Sequence, residues 1–182
     1  MQQYRALPDQ PAPRMSNDLA SPQGSDPVIK TITAAALDEL SGKAVAAERR
    51  RAHLNVHASL DANVQRLFIA TEPDTYMRPH RHPEAHKWEY FMVLKGRIDL
   101  LVFSAAGELT RRIPLSPDTT VATEIPPGVF HAYVCMQPGT LAMEIKEGAY
   151  IPTPEADFAS WAPAERSAGA ASYLQWMQTA QP

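Results

Sequence analysis

A single cysteine, Cys135, stands in 182 residues, so no disulfide can form within the chain and nothing in it demands an oxidising compartment. Long apolar runs are missing too. No stretch approaches the ~20 residues a membrane-spanning helix needs, and the first residues lack the apolar centre of a secretory signal. Charge of one sign is scarce: 17 Lys and Arg against 20 Asp and Glu give a formal net charge of −3, with no basic cluster. Nucleic acid and anionic membrane surfaces are therefore not expected partners. No serine or cysteine nucleophile motif, phosphate loop or dinucleotide fingerprint occurs, and no solenoid repeat. The expectation is a soluble, cytoplasmic chain whose chemistry comes from a bound group.

What is present fits one globular domain with a substantial core: 45% hydrophobic and 20% charged residues. Residues 1–27 carry Pro8, Pro11, Pro13, Pro22 and Pro27 without apolar periodicity, which reads as a disordered leader or an edge-pairing arm; Met15 is an alternative start. Residues 28–50 read as a helical segment. Thr33 is its cap, Ala36, Leu37 and Leu40 lie at helical spacing, Ser41-Gly42 ends or weakens it, and a second turn follows over 44–50. From 51 to 150 the period changes to two. The alternation predicts strands over 51–58, 64–71, 75–82, 87–94, 97–103, 109–115, 121–125 and 141–146, joined by Gly/Pro turns. Residues 151–182 form a C-terminal extension with a helix over 167–179 capped by Ser167. Many short strands joined this way predict a mainly β sandwich or barrel.

The chemistry concentrates in Arg78-Pro79-His80-Arg81-His82. Residues two apart on a strand share a face, so His80 and His82 can reach one metal ion. Glu89 opens an apolar run that ends at Gly96, and the turn Pro126-Pro127-Gly128 presents His131. Three imidazoles and a carboxylate suit one divalent transition metal: iron, zinc, nickel, manganese or copper. His86 is the alternative to Glu89 as fourth ligand. Parity also puts Tyr76 and Arg78 with His80 and His82. Arg78 carries a planar fork suited to carboxylate or phosphate; its other reading is an ion pair with a neighbouring acid. On the 51–58 strand Arg51, His53, Asn55 and His57 share a polar face that either meets solvent or lines a pocket. Glu144 and Lys146 share a face opposite Leu141, Met143 and Ile145. Cys135 has the parity of His131 and reads as a buried, inert thiol.

These segments resemble the paired signatures of the cupin superfamily: His80-x-His82, then Glu89 and Gly96 six residues apart, then Pro126-x-Gly128-x-x-His131. The gap from His82 to Glu89 is longer than the usual signature. The resemblance implies a jelly-roll β-barrel (double-stranded β-helix) with His80, His82, Glu89 and His131 as metal ligands. A narrower resemblance, over roughly residues 48–165, is to the WbuC-type cupin-fold metalloproteins. It rests on Asn55-Val56-His57, Arg78-Pro79-His80-Arg81-His82, Lys87-Trp88-Glu89, Glu144-Ile145-Lys146-Glu147-Gly148 and Asp157-Phe158-Ala159-Ser160-Trp161. That family is named for an association with O-antigen (surface polysaccharide) gene clusters.

The resulting expectation is a metal-dependent enzyme acting on a small polar or anionic molecule. A sugar derivative is what the gene-cluster association implies. Arg78, Asn55, His57, Tyr76 and Lys146 are the expected substrate contacts. The alternative is a metal-stabilised binding or sensor module without turnover. Open sheet edges, which commonly need cover, point to a homodimer.

Overall fold

The computed structural model describes residues 29–182, of which Thr31–Pro182 form one compact unit; the segment 1–27 read as a leader lies outside the described residues. Helix α1 (Ala34–Ala46) opens at Thr33, which is extended and whose hydroxyl accepts from the Ala36 N–H at 3.2 Å. It runs unbroken through Ser41-Gly42. The glycine lowers helix propensity by only ~1 kcal/mol, and Leu40 and Ala44, buried against Ala70 and Leu141 on the outer face of a sheet, hold the helix on both sides of it.

Eight strands follow: β1 (Arg51–Asn55), β2 (Val64–Thr71), β3 (Glu89–Lys95), β4 (Ile98–Phe103), β5 (Leu109–Leu115), β6 (Ala122–Ile125), β7 (Phe130–Cys135) and β8 (Thr140–Glu147), then helix α2 (Ala170–Thr179). They make a five-stranded antiparallel sheet, β1-β2-β8-β3-β6, and a three-stranded one, β5-β4-β7. His80 extends the second sheet: it exchanges backbone hydrogen bonds with His131 on one side and bridges Phe158 on the other. From β3 onward the chain passes repeatedly between the two sheets, the interleaving of a jelly roll. The mainly β class, with a short helix at each end, is the fold observed.

The apolar core lies between the sheets, where Leu67 and Ile69 of β2 meet Phe91 and Val93 of β3 and Ile98 and Leu100 of β4. Each such side chain contributes roughly 1.5–3 kcal/mol by leaving water. Outside the second sheet, Leu174 and Met177 of α2 cover Leu101, Phe103, Ala132 and Val134. Arg112 of β5 ties that helix down. It donates to the carbonyls of Ala180 and Met177 and, at 2.7 Å, to buried Asp99. Gly96 makes the β3–β4 turn at φ 77°, and any Cβ there would collide with Thr140 Oγ1.

Three expectations need correction. Residues 75–82 are not a strand; only His80 enters a ladder, Pro79 having no N–H to offer. Parity therefore fails for Tyr76, which joins the outer cluster under α2 and donates to Pro163 O at 2.8 Å. Strand β1 stops at Asn55, so His57 lies beyond it. Helix α2 starts at Ala170 behind Gly169, and no side chain caps it; Ser167 is three residues short.

Candidate metal centre

Register decides what faces the space between the sheets. On β8, Glu144 pairs with Leu67 and Phe91, and Lys146 pairs with Gln65 and Glu89. Directly paired residues share a face, so Glu144 and Lys146 point inward beside Glu89. On β1, His53 and Asn55 pair with Ile69 and Leu67 and so lie on the inner side, while Ala52 and Leu54 pack toward α1. His131 pairs with Val102 and, through its bridge, with His80.

Three separate stretches thus bring His80, His82, Glu89 and His131 together. Buried Glu89 lies between two imidazoles: Oε1 is 3.0 Å from His82 Nε2 and Oε2 is 3.0 Å from His131 Nε2. The Nδ1 atoms of His80 and His131 are 3.1 and 3.0 Å from the carbonyls of Arg78 and Val129. A backbone carbonyl is only an acceptor, so each Nδ1 carries hydrogen and each ring presents Nε2 as its ligating atom.

Two of the three ring spacings suit one ion. With metal–nitrogen bonds of ~2.0–2.1 Å, ring centres sharing an ion lie ~4.5–5.5 Å apart. His80 is 4.7 Å from His131 and 5.2 Å from His82; His82 and His131 are wider, at 6.2 Å. The Glu89 carboxylate occupies that wider gap. Among the described residues no group of three or more His, Cys, Asp or Glu side chains is placed so that it could hold a metal ion without rearrangement. Coordination requires Glu89 to move from its place between the His82 and His131 rings.

The charges are mutually held. Burial opposes ionisation of Glu89, but the His131 and His82 ring nitrogens 3.0 Å from its oxygens and the charge of Lys146 outweigh it, and the carboxyl stays well below its ordinary range. For His131 burial disfavours the cation, and Glu89 more than compensates, so its pKa is raised. His80 is pushed down to about 3, by burial first and by His131 next, against a weaker pull from Glu89. Burial also works against the Lys146 ammonium, but Glu144 at 2.8 Å and Glu89 at 3.6 Å raise its pKa above the usual lysine value.

Beside the cluster is a cavity of about 40 Å³ lined by His82, Lys87, Glu89, Lys146, residues 147–151 and Thr153. A larger open groove, about 540 Å³, lies against α2 between Trp161, Tyr173 and Trp176. It is on the face of the second sheet opposite His131 and holds none of the expected ligands.

The other expected residues are placed as follows. Exposed His86 lies against Gly148 and not between the imidazoles. Arg78 is buried, but its guanidinium is engaged by Glu155 at 2.8 Å, by the Ala159 carbonyl at 2.9 and 3.2 Å, and by the face of Phe158. The ion pair is thus what is seen, and Arg78 braces the C-terminal extension. His57 Nδ1 accepts from the Arg66 N–H at 3.0 Å, a local brace. Cys135 is buried with Sγ toward Gln137 O, and burial raises its pKa. Two inward groups are not among the site residues expected from the sequence. Glu144 sits in a plain alternating strand, and Tyr133, whose hydroxyl is buried without a hydrogen-bond partner, was signalled only by being two residues from His131.

A family described as a domain of unknown function (DUF6016) matches residues 32–115. No curated protein matches the sequence. Among solved structures, KdgF from Halomonas sp. is similar at 16% identity, covering 55% of this chain and 80% of its own, with a TM-score of 0.45. The capsular polysaccharide assembling protein CapF from Staphylococcus aureus is similar at 16% identity over 56% of this chain and 27% of its own, TM-score 0.46. An oxalate oxidase in complex with the substrate analogue glycolate is similar at 18% over 59% and 55%, TM-score 0.45. This chain spans about a quarter of the CapF protein's length. Among the described residues, no helix is long and apolar enough to cross a membrane.

Proposed function

We propose that the chain is a cupin-type metal-binding protein. His80, His82 and His131 present Nε2 atoms, and Glu89 a carboxylate, to one divalent ion of iron, manganese, nickel, copper or zinc, and a small polar or anionic molecule binds beside it. The observation that carries this reading is the convergence of four donors from three stretches around one buried carboxylate, with two of the rings oriented by their Nδ1 hydrogen bonds. A bound divalent metal would supply Lewis acidity or an activated water. The chain's own groups hold the rings in one orientation, keep Glu89 ionised and exclude bulk water behind residues 147–153.

A sugar derivative, the substrate class implied by the WbuC resemblance, is harder to place. Ligand pockets of that kind run to roughly 300–1,000 Å³, so residues 147–153 would have to swing away. The small cavity favours the second reading, a binding or sensor module without turnover, unless that segment opens. The test is elemental analysis of protein purified without added metal. We expect about one equivalent in the wild type and close to none in the His80→Ala/His82→Ala double variant, with unchanged circular dichroism. A full equivalent in the variant would overturn the assignment.

A further inference from the structure

We propose that Arg78 is the positioning residue of this centre: anchored on residues 155–159 of the C-terminal extension, it sets the His80 ring through its own backbone carbonyl. This rests on the metal-binding reading above and names what holds a ligand of that same site.

The first observation is where His80 stands. Both ring spacings that suit one ion include it, 4.7 Å to His131 and 5.2 Å to His82, so the centre is only as ordered as this ring. Yet His80 lies in no strand. His131 belongs to β7 and has the β4 ladder behind it, whereas His80 has a single ladder position, between His131 and Phe158. On the Phe158 side the Arg81 N–H donates to Asp157 O at 3.0 Å and the Ala159 N–H to Pro79 O at 2.9 Å. Residues 157–159 thus do for His80 what a neighbouring strand does for His131.

The second is the Nδ1 hydrogen bond. His80 Nδ1 donates to the Arg78 carbonyl, 3.1 Å away, and this bond is what turns Nε2 toward the ion. The direction of that carbonyl depends on Arg78, and Arg78 is tied down from its far end. Its Nε and Nη2 donate to the Ala159 carbonyl at 3.2 and 2.9 Å, its Nη1 to Glu155 at 2.8 Å, and the guanidinium lies 5.2 Å from the centre of the Phe158 ring. Every one of these contacts is to residues 155–159. The Phe158 ring in turn lies 6.1 Å from the His80 ring.

The third is which contact carries the anchor. The Glu155 side chain is 80% exposed, so water screens that ion pair. The Ala159 carbonyl is buried and takes two donors of one planar fork that also stacks on Phe158. A lysine ammonium is a point charge and cannot reproduce the fork and the stacking together. Loss of function should therefore rank Arg78→Met above Arg78→Lys, and Arg78→Lys above Glu155→Gln.

The test titrates the full chain with cobalt(II), whose visible spectrum reports both affinity and the ligands at the ion. Outer partners of a metal-binding histidine are worth ~10–100-fold in affinity. Arg78→Met should lose about that much and shift the visible band, Arg78→Lys should recover part of the loss, and Glu155→Gln should stay within about fivefold of wild type. Asp99→Ala loosens a different buried arginine, Arg112 under α2, and should leave the cobalt band where wild type has it. If wild type takes up no cobalt, the metal-binding reading fails and this inference falls with it. If cobalt binds but Arg78→Met keeps the wild-type affinity and band, or Asp99→Ala alters both as much, only the positioning role is overturned. Should Arg78→Met not fold, Phe158→Leu takes its place and should weaken cobalt binding and shift the band; an unchanged band in both Phe158→Leu and Arg78→Lys overturns the proposal.

Discussion

A metal ion entering this centre has to compete with a proton on His131. Its Nδ1 is committed to the Val129 carbonyl at 3.0 Å and its Nε2 to Glu89 at 3.0 Å, two acceptors, so the ring carries hydrogen on both nitrogens and is an imidazolium below its raised pKa. Coordination needs the Nε2 lone pair, and the hydrogen that leaves is that one. The metal-bound protein therefore holds one proton fewer at this ring, and affinity falls as pH falls. Below about pH 6.5 each pH unit lowers metal affinity about tenfold, or about 1.4 kcal/mol, through His131. His80, pushed down to about 3, adds nothing to that slope at these pH values. Isothermal titration with zinc near pH 6, in two buffers of different ionisation heat, reads the released protons directly; at least about one is expected from His131. No proton release, with an affinity constant between about pH 5.5 and 6.5, would refute the assignment of His131 as a displaced imidazolium.

Three further outcomes follow from the same contacts. His80 has a folded pKa of about 3 against 6.5 for the free group, so the folded metal-free chain binds fewer protons than the unfolded one across that window. Its stability should fall with acid below pH 6.5, by up to about 1.4 kcal/mol per pH unit, with the lowered Glu89 adding to the loss below its ordinary value of 4.5; equal urea midpoints at pH 6 and pH 4 would contradict this. Asp99→Ala strands Arg112, whose side chain is 6% exposed, and should cost about 3–5 kcal/mol by urea unfolding; a loss under about 1 kcal/mol would show that the pair is incidental to anchoring α2. Among the described residues β1, β5 and β6 stand at sheet edges, which favours a homodimer; light scattering at micromolar concentration would deny it by returning the mass of one chain.

Strands were readable where side-chain alternation alone sets the structure. The ranges expected for 64–71 and 109–115 are those of β2 and β5. The stretch before the site was misread because parity was carried across Pro79, where no ladder exists. Tyr76 and Arg78 consequently serve α2 and the C-terminal extension. Alternation showed that Glu144 and Lys146 share a face, but which face is inner depends on pairing with β3 and on α1 covering Leu141, contacts far apart in sequence. The choice between Glu89 and His86 also needed the fold. Counting residues favours His86, whereas the turn at 83–88 carries it out to Gly148 and leaves Glu89 as the first residue of β3, between the rings. The volume of the cavity, set by residues 147–153, has no signature in the sequence.

The most direct test of the central claim is a crystal structure of protein grown with the metal it copurifies with, measured at that metal's absorption edge. One anomalous peak is expected, about 2.0–2.2 Å from Nε2 of His80, His82 and His131 and from a carboxylate oxygen of Glu89. A peak elsewhere, or none while Glu89 still bridges His82 and His131, would contradict it.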